Sequence, residues 1–194
     1  MVRERIILAS RSPRRMQILR REGVDFESIE APVDDPSTPP EGDVAMVAAD
    51  LARRKAEAVI AAHPERCARA FVVAADTICR HGLDSVGKAE SIEQARRILL
   101  RMMDGDHQVV TAVAVSRAGA WRSFVDVAHV RMEHPGEEAL ERFLASDAWK
   151  GKAGAYDIEE RRAAGWTIRC SGDEDTVGGL PWKRLRATME EWPR

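Results

Sequence analysis

No two cysteines in this chain stand at CxxC spacing. The three present, Cys67, Cys79 and Cys170, are odd in number and far apart. That argues against a disulfide framework or a zinc site and fits a reduced, cytoplasmic setting. Long apolar runs are missing too. Nothing approaches the ~20 residues a membrane span needs, and the run Ile6-Ile7-Leu8-Ala9 behind Arg3, Glu4 and Arg5 is too short for a signal peptide. Neither sign of charge is in excess: 30 lysines and arginines face 32 acidic residues, a net charge of −2. There is thus no global attraction to nucleic acid, no basic surface interleaved with aromatics, and any polyanion site has to be built locally. The stretch from Ser10 to Gly23 does not have the GxxxxGK spacing of a Walker loop. The five histidines show no ligand spacing and read as surface or internally satisfied residues.

What is present suits a globular α/β chain. The 194 residues are 44% hydrophobic, enough for a sizeable core. Residues 5–9 read as a strand, 13–22 as a helix, 24–31 as a second strand, and the proline-rich, acidic "PVDDPSTPPEG" at 32–42 as a loop. A long helix is expected over 43–62, with Val44, Val47, Ala48, Leu51, Ala58, Val59 and Ala62 on one stripe. "FVVAAD" at 71–76 is a buried-type strand ending in Asp76, followed by a turn-rich loop or hairpin around Gly82 and Gly87. Ser91 and Gln94 form a capping box for a helix reaching about Met103. Residues 108–116 and 121–132 are two strands joined across Gly119. A helix over 135–146, a loop over 150–156, a strand in "GWTIRCSG" and a terminal helix opened by Pro181 complete the chain. Early strand–helix units with a strand pair in the middle predict a mixed sheet.

Five places concentrate chemistry. Ser12 and Pro13 suit the start of a helix, yet Arg14 and Arg15 follow in its first turn, the wrong sign for that end of the dipole. They mark either an anion site, with Ser10 beside it, or a well-capped helix with a basic surface. Lys55 falls on the apolar stripe, between Leu51 and Val59, where a charge is costly unless it is paired, aimed at an anion, or snorkels to the edge. Asp76, with Thr77 behind it and Lys88 after Gly87, sits at the end of a buried strand, where open α/β sheets place ligands. It also suits a turn cap. Asp34 and Asp35 add carboxylates of the kind magnesium uses with phosphates, or simply a solvated turn. In "KGKAGAYDIE", Gly151 and Gly154 permit close backbone approach around Lys152. Tyr156, the single tyrosine, either stacks on a base or packs.

"SRSPRR", "LARRKA", "AADT", "GK", "HQVVT", "KAGAYDIE" and "VGGLP", in this order and spacing, resemble the Maf (septum-formation-inhibitor-like) family of nucleoside triphosphate pyrophosphatases, from residue 6 to about 190. The resemblance implies one domain over 1–194, similar to inosine triphosphate pyrophosphatases: an elongated mixed β-sheet with flanking helices and two lobes around a cleft. It implies hydrolysis of a nucleoside triphosphate to monophosphate and pyrophosphate with a divalent cation (Mg2+, Mn2+ or Co2+), clearing the nucleotide pool. Asp76 would be the proton acceptor, acting with Lys55 and Lys88. Ser10, Arg14, Arg15, Thr77, Lys152 and Glu159 would meet substrate, and Asp35 and Asp76 the metal. "SPRR" and "ADT" resemble the dTTP/UTP branch rather than the 7-methyl-GTP branch. That branch usually reads "GIQ" where this chain has Asp157-Ile158-Glu159, "GKP" at Gly87-Lys88-Ala89, and threonine at Ala128. Related proteins are often homodimers. The alternative is a nucleotide-binding regulator of septum formation with little turnover.

Overall fold

The computed structural model describes residues 5–33 and 42–192. In chain order these form β1 (Ile6–Leu8), α1 (Pro13–Arg21), β2 (Phe26–Ser28), α2 (Val44–Ala62), α3 (Pro64–Cys67), β3 (Phe71–His81), β4 (Asp84–Val86), α4 (Ile92–Met103), β5 (Asp106–Arg117), β6 (Ala120–Met132), α5 (Glu137–Ala145), α6 (Ile158–Ala163), β7 (Ile168–Ser171), α7 (Glu174–Val177) and α8 (Trp182–Glu190). The strands make one seven-stranded sheet ordered β2-β1-β3-β5-β6-β7, with β4 beside the far half of β3. β1 is parallel to β2 and β3, and the remaining pairs are antiparallel. The expected mixed α/β sheet with flanking helices is what forms.

Three expectations change. The strand at 71 does not stop at Asp76. The apolar run ends there, but β5 supplies ladder partners as far as Arg80, so β3 continues and Asp76 lies in its middle. The buried stripe of α2 is Val44, Ala48, Leu51, Ala52, Lys55, Ala56 and Val59, with Ala58 and Ala62 turned off it. The second strand shrinks to three residues, and α3, α6 and α7, all six residues or fewer, carry too little periodicity to be read in advance.

Consecutive strand residues point to opposite faces of a sheet. One face, carrying Val72, Ala74, Ile78, Val110 and Ala112, is covered by α2. The other face supports two separate clusters. One packs Ile18, Leu19 and Leu185 of α1 and α8 against Leu8, Phe71 and Val113. The second packs Leu99 and Met102 of α4 and Leu140 and Leu144 of α5 around Trp149 and Val109. The long strands run under both, so the sheet is elongated and a cleft opens between two lobes. β1 pairs β3 only as far as Val73, and β4 pairs β3 only from Cys79 onward. Residues 74–78 of β3 therefore border a notch in the sheet, and the cleft lies over it.

Candidate active site

The notch explains how two adjacent strand residues serve one cavity. Asp76 points to the face covered by α2 and Thr77 to the face shared by the two lobes. Among the described residues no strand lies between β1 and β4 at this level, and both side chains reach a cavity of about 650 Å3. Its wall is built from Ser10–Arg15, Lys55, Asp76, Thr77, Lys88, Lys150–Ala153, Tyr156, Asp157, Glu160 and Gly178-Gly179. Among the described residues, seven cationic side chains (Arg11, Arg14, Arg15, Lys55, Lys88, Lys150, Lys152) and four carboxylates (Glu30, Asp76, Asp157, Glu160) line it. The volume is in the range of small-molecule sites.

At the floor, Lys55 Nζ lies 2.6 Å from Asp76 Oδ1, both side chains only 11% exposed. This answers why a lysine occupies the apolar stripe of α2: its charge meets a carboxylate in a site where either ion alone would be costly. Above it, Arg15 is held on three sides. Its Nε donates to the Gly179 carbonyl at 2.8 Å, Nη1 to Ser10 Oγ at 3.1 Å and Nη2 to Thr77 Oγ1 at 3.3 Å. Ser10 Oγ also accepts from the Ser12 amide at 3.1 Å, which curls the chain after β1 into α1. Ser12 caps α1 through the Arg15 amide, with Pro13 at the first turn, as the sequence indicated.

Arg14 leans across the cleft to the other lobe. Its Nε is 3.0 Å from Asp157 Oδ2 at an angle too poor for a hydrogen bond, so the attraction there is ionic. Nη1 donates to Glu159 Oε2 at 2.9 Å. Asp157 Oδ1 caps α6 by accepting from the Glu160 amide at 2.9 Å. Lys88 and Lys152 face the cavity from one strip of backbone, because Lys88 bridges antiparallel to Ala153. Lys152 Nζ pairs with Glu160.

Of the residues expected to act, Ser10, Arg14, Arg15, Lys55, Asp76, Thr77, Lys88 and Lys152 all line this cavity. Glu159 does not. It is 58% exposed and lies on the outer flank of Arg14, beside Gln17, Arg21 and Ala163. Asp34 and Asp35 lie outside the described residues. Among the described residues no group of three or more His, Cys, Asp or Glu side chains converges as a metal site.

Several contributors escaped the sequence reading. Asp157, with Glu160 three residues on, carried a helix-start signal that was available but unused. The Gly179 carbonyl had none. Gly179 has φ +86, and a Cβ there would lie 3.0 Å from Thr77 Oγ1 and 3.2 Å from Arg15 Nε, so this close approach requires glycine. His107 takes the internally satisfied alternative, buried with both ring nitrogens bonded, although the sequence did not single it out from the other histidines. Its Nδ1 is 3.2 Å from the Met102 carbonyl, which can only accept, so Nδ1 carries the proton and Nε2 accepts from Tyr156 Oη at 2.7 Å. Burial pushes the His107 imidazole down to about 4 and raises the Tyr156 phenol. Tyr156 thus packs, with its ring in the cavity wall, tied to a neutral histidine beneath.

The Maf-like protein family model matches residues 5–192. A dTTP/UTP pyrophosphatase of Salinibacter ruber (strain DSM 13855 / M31) is 36% identical over 189 residues, covering 95% of this chain and 89% of that protein. The dTTP/UTP pyrophosphatase of Shouchella clausii (strain KSM-K16) is 35% identical over 187 residues, covering 96% and 94%. Among solved structures, a nucleoside-triphosphatase, dITP/XTP pyrophosphatase, from Mycobacterium abscessus aligns over 66% of this chain and 72% of its own with TM-score 0.36 and 17% identity. At that score the likeness carries no argument.

Proposed function

Because the chain belongs to the Maf-like protein family, whose model spans residues 5–192, we propose that it hydrolyses nucleoside triphosphates to monophosphate and pyrophosphate, with dTTP and UTP preferred. The observation that carries this reading is the buried Lys55–Asp76 pair at the floor of a cleft ringed by cations. A triphosphate brings about four negative charges, and the excess of cations over carboxylates along the described wall suits it. The names of relatives at 35–36% identity support the pyrimidine preference.

Each residue then has a task. Asp76 takes a proton from the water that attacks the α-phosphorus. Lys55, 2.6 Å away, holds that carboxylate in place. Arg15, Lys88 and Lys152 offset the charge that builds on the departing pyrophosphate. Ser10 and the Gly179 carbonyl fix Arg15 before substrate arrives, so little ordering is left to the moment of reaction. The donor set suits a hard divalent cation, which takes one or two carboxylates plus phosphate oxygens. Asp76, with Asp35 and the substrate, would hold Mg2+, Mn2+ or Co2+. Bound there, the ion would polarise the phosphate and neutralise charge. A regulator that bound nucleotide without turnover would have no use for a carboxylate buried against Lys55.

The test is a panel of dTTP, UTP, CTP, ATP and GTP with each of the three cations, read by enzymatic detection of pyrophosphate. The fastest release is expected from dTTP and UTP, and none in excess chelator. Preference for a purine triphosphate, or release that chelator leaves unchanged, would contradict the reading.

A further inference from the structure

Beneath the cleft, on the face shared by the two lobes, three polar side chains stand side by side across three strands. Thr77 of β3 is paired in register with Thr111 of β5, and Thr111 with Asp126 of β6. Thr111 is fully buried, as is Thr176 of α7, which sits over the row. Thr111 Oγ1 is 2.7 Å from the Thr176 carbonyl. A carbonyl only accepts, so the single proton of the Thr111 hydroxyl is committed to it. Thr77 Oγ1 lies 3.0 Å from Thr111 Oγ1. By geometry alone either oxygen suits the donor role, but Thr111 has no second proton, so Thr77 donates. The Thr176 hydroxyl in turn donates to the Asp126 carboxylate, which Arg184 approaches at 3.4 Å. The direction of every bond in the row is therefore fixed from the buried end.

We infer that Thr111 is a specificity-determining residue that acts through Thr77: by taking its proton, it turns the Thr77 hydroxyl into a pure acceptor towards the cavity. The contact from Arg15 Nη2, a donor, agrees with this polarity. Arg15 takes one of the two lone pairs of this oxygen, which leaves the other for a group in the cavity that Thr77 lines. A substrate group that meets Thr77 must then bring an N–H or O–H, and a carbonyl or unprotonated ring nitrogen is repelled. The inference rests on the pyrophosphatase reading. On a pyrimidine nucleotide two groups supply such a proton: the imino N3–H of uracil or thymine, and the sugar hydroxyls.

The test separates these sources and separates this claim from that reading. Pyrophosphate release is measured on the unmodified chain with UTP, N3-methyl-UTP, dTTP and 2′,3′-dideoxy-TTP. Loss of kcat/KM on the order of tenfold or more is expected for one analogue, the N3-methyl compound if the base is read and the dideoxy compound if the sugar is read. Thr111→Val, which keeps the shape and frees the Thr77 proton, is expected to shrink that discrimination by about tenfold, and Thr111→Ser to restore it. A merely structural role would lower the melting temperature and scale all four substrates alike, leaving the ratios unmoved; that overturns the inference. So does equal turnover of both analogues by the unmodified chain, a comparison that needs no variant to fold. No pyrophosphate from any nucleotide would overturn the pyrophosphatase reading instead.

Discussion

Lys55 and Asp76 are each intelligible only through the other. The stripe of α2 showed in advance that a lysine was placed among alanines and valines. Which carboxylate met it depended on a strand 21 residues later, beyond any local pattern. The pair sets two expectations. Asp76→Asn keeps the shape and removes the base, so turnover should fall at least ~100-fold with the circular dichroism spectrum unchanged; near-normal turnover would remove Asp76 from its role. Lys55→Met leaves the carboxylate without this partner and should cost about 3 kcal/mol of stability, the low end for a broken buried pair, because the cavity admits water. The double variant Lys55→Met/Asp76→Asn should regain most of that loss in denaturant titrations. Additive losses would mean the two side chains do not interact. Glu159 teaches the opposite lesson. The resemblance implied that it meets substrate, but the turn into α6 sends Asp157 to the cavity wall and Glu159 to the outer flank of Arg14. Two residues of offset at a helix start decide which carboxylate faces inward, and the linear sequence does not display it.

Among elements, β3 was legible in its first half and not in its second. Val72 to Ala75 declare a buried strand, whereas Asp76, Thr77 and Arg80 are polar and extended only because β5 pairs with them. The turn between β5 and β6 was correctly located, with Ala118 and Gly119 both at positive φ as a two-residue hairpin requires. The stretch joining Lys152 to α6 read as a loop, and its tight fit was hidden. Gly154 has φ +68, and a Cβ there would lie 3.1 Å from Cys79 Sγ and 3.3 Å from Tyr156 Cε1, all within buried surroundings. Gly151 has φ +73 with nothing within 4 Å. Both alanine substitutions carry backbone strain, but only Gly154→Ala adds crowding. It should cost about 1 kcal/mol more than Gly151→Ala and also raise KM, since the shift carries Lys152 and Asp157 with it. Equal melting temperatures for the two variants would show that the contact relaxes freely.

At the scale of the molecule, one sheet carries two lobes, and the cleft between them collects residues from position 10 to position 179. Composition and periodicity gave the α/β class; the order of seven short motifs gave the family; the convergence of those motifs on one notch needed three dimensions. Stability should also report the buried polar floor. His107 is neutral in the fold, pushed down to about 4 from an ordinary 6.5, so between those values the unfolded chain holds a proton that the folded chain lacks. Stability should therefore be full above about pH 6.5 and decline as pH falls towards 4, by up to about 3 kcal/mol. Urea titrations at pH 7.5, 6 and 5 check the slope, and His107→Gln should flatten it; an unchanged slope would assign the acid sensitivity elsewhere. The most direct measurement of the central claim is turnover of UTP in 18O-labelled water, with the products followed by 31P NMR. Attack on the α-phosphorus, with Asp76 as base, gives unlabelled pyrophosphate and UMP carrying the label. UDP with labelled orthophosphate, or label in the pyrophosphate, would contradict it.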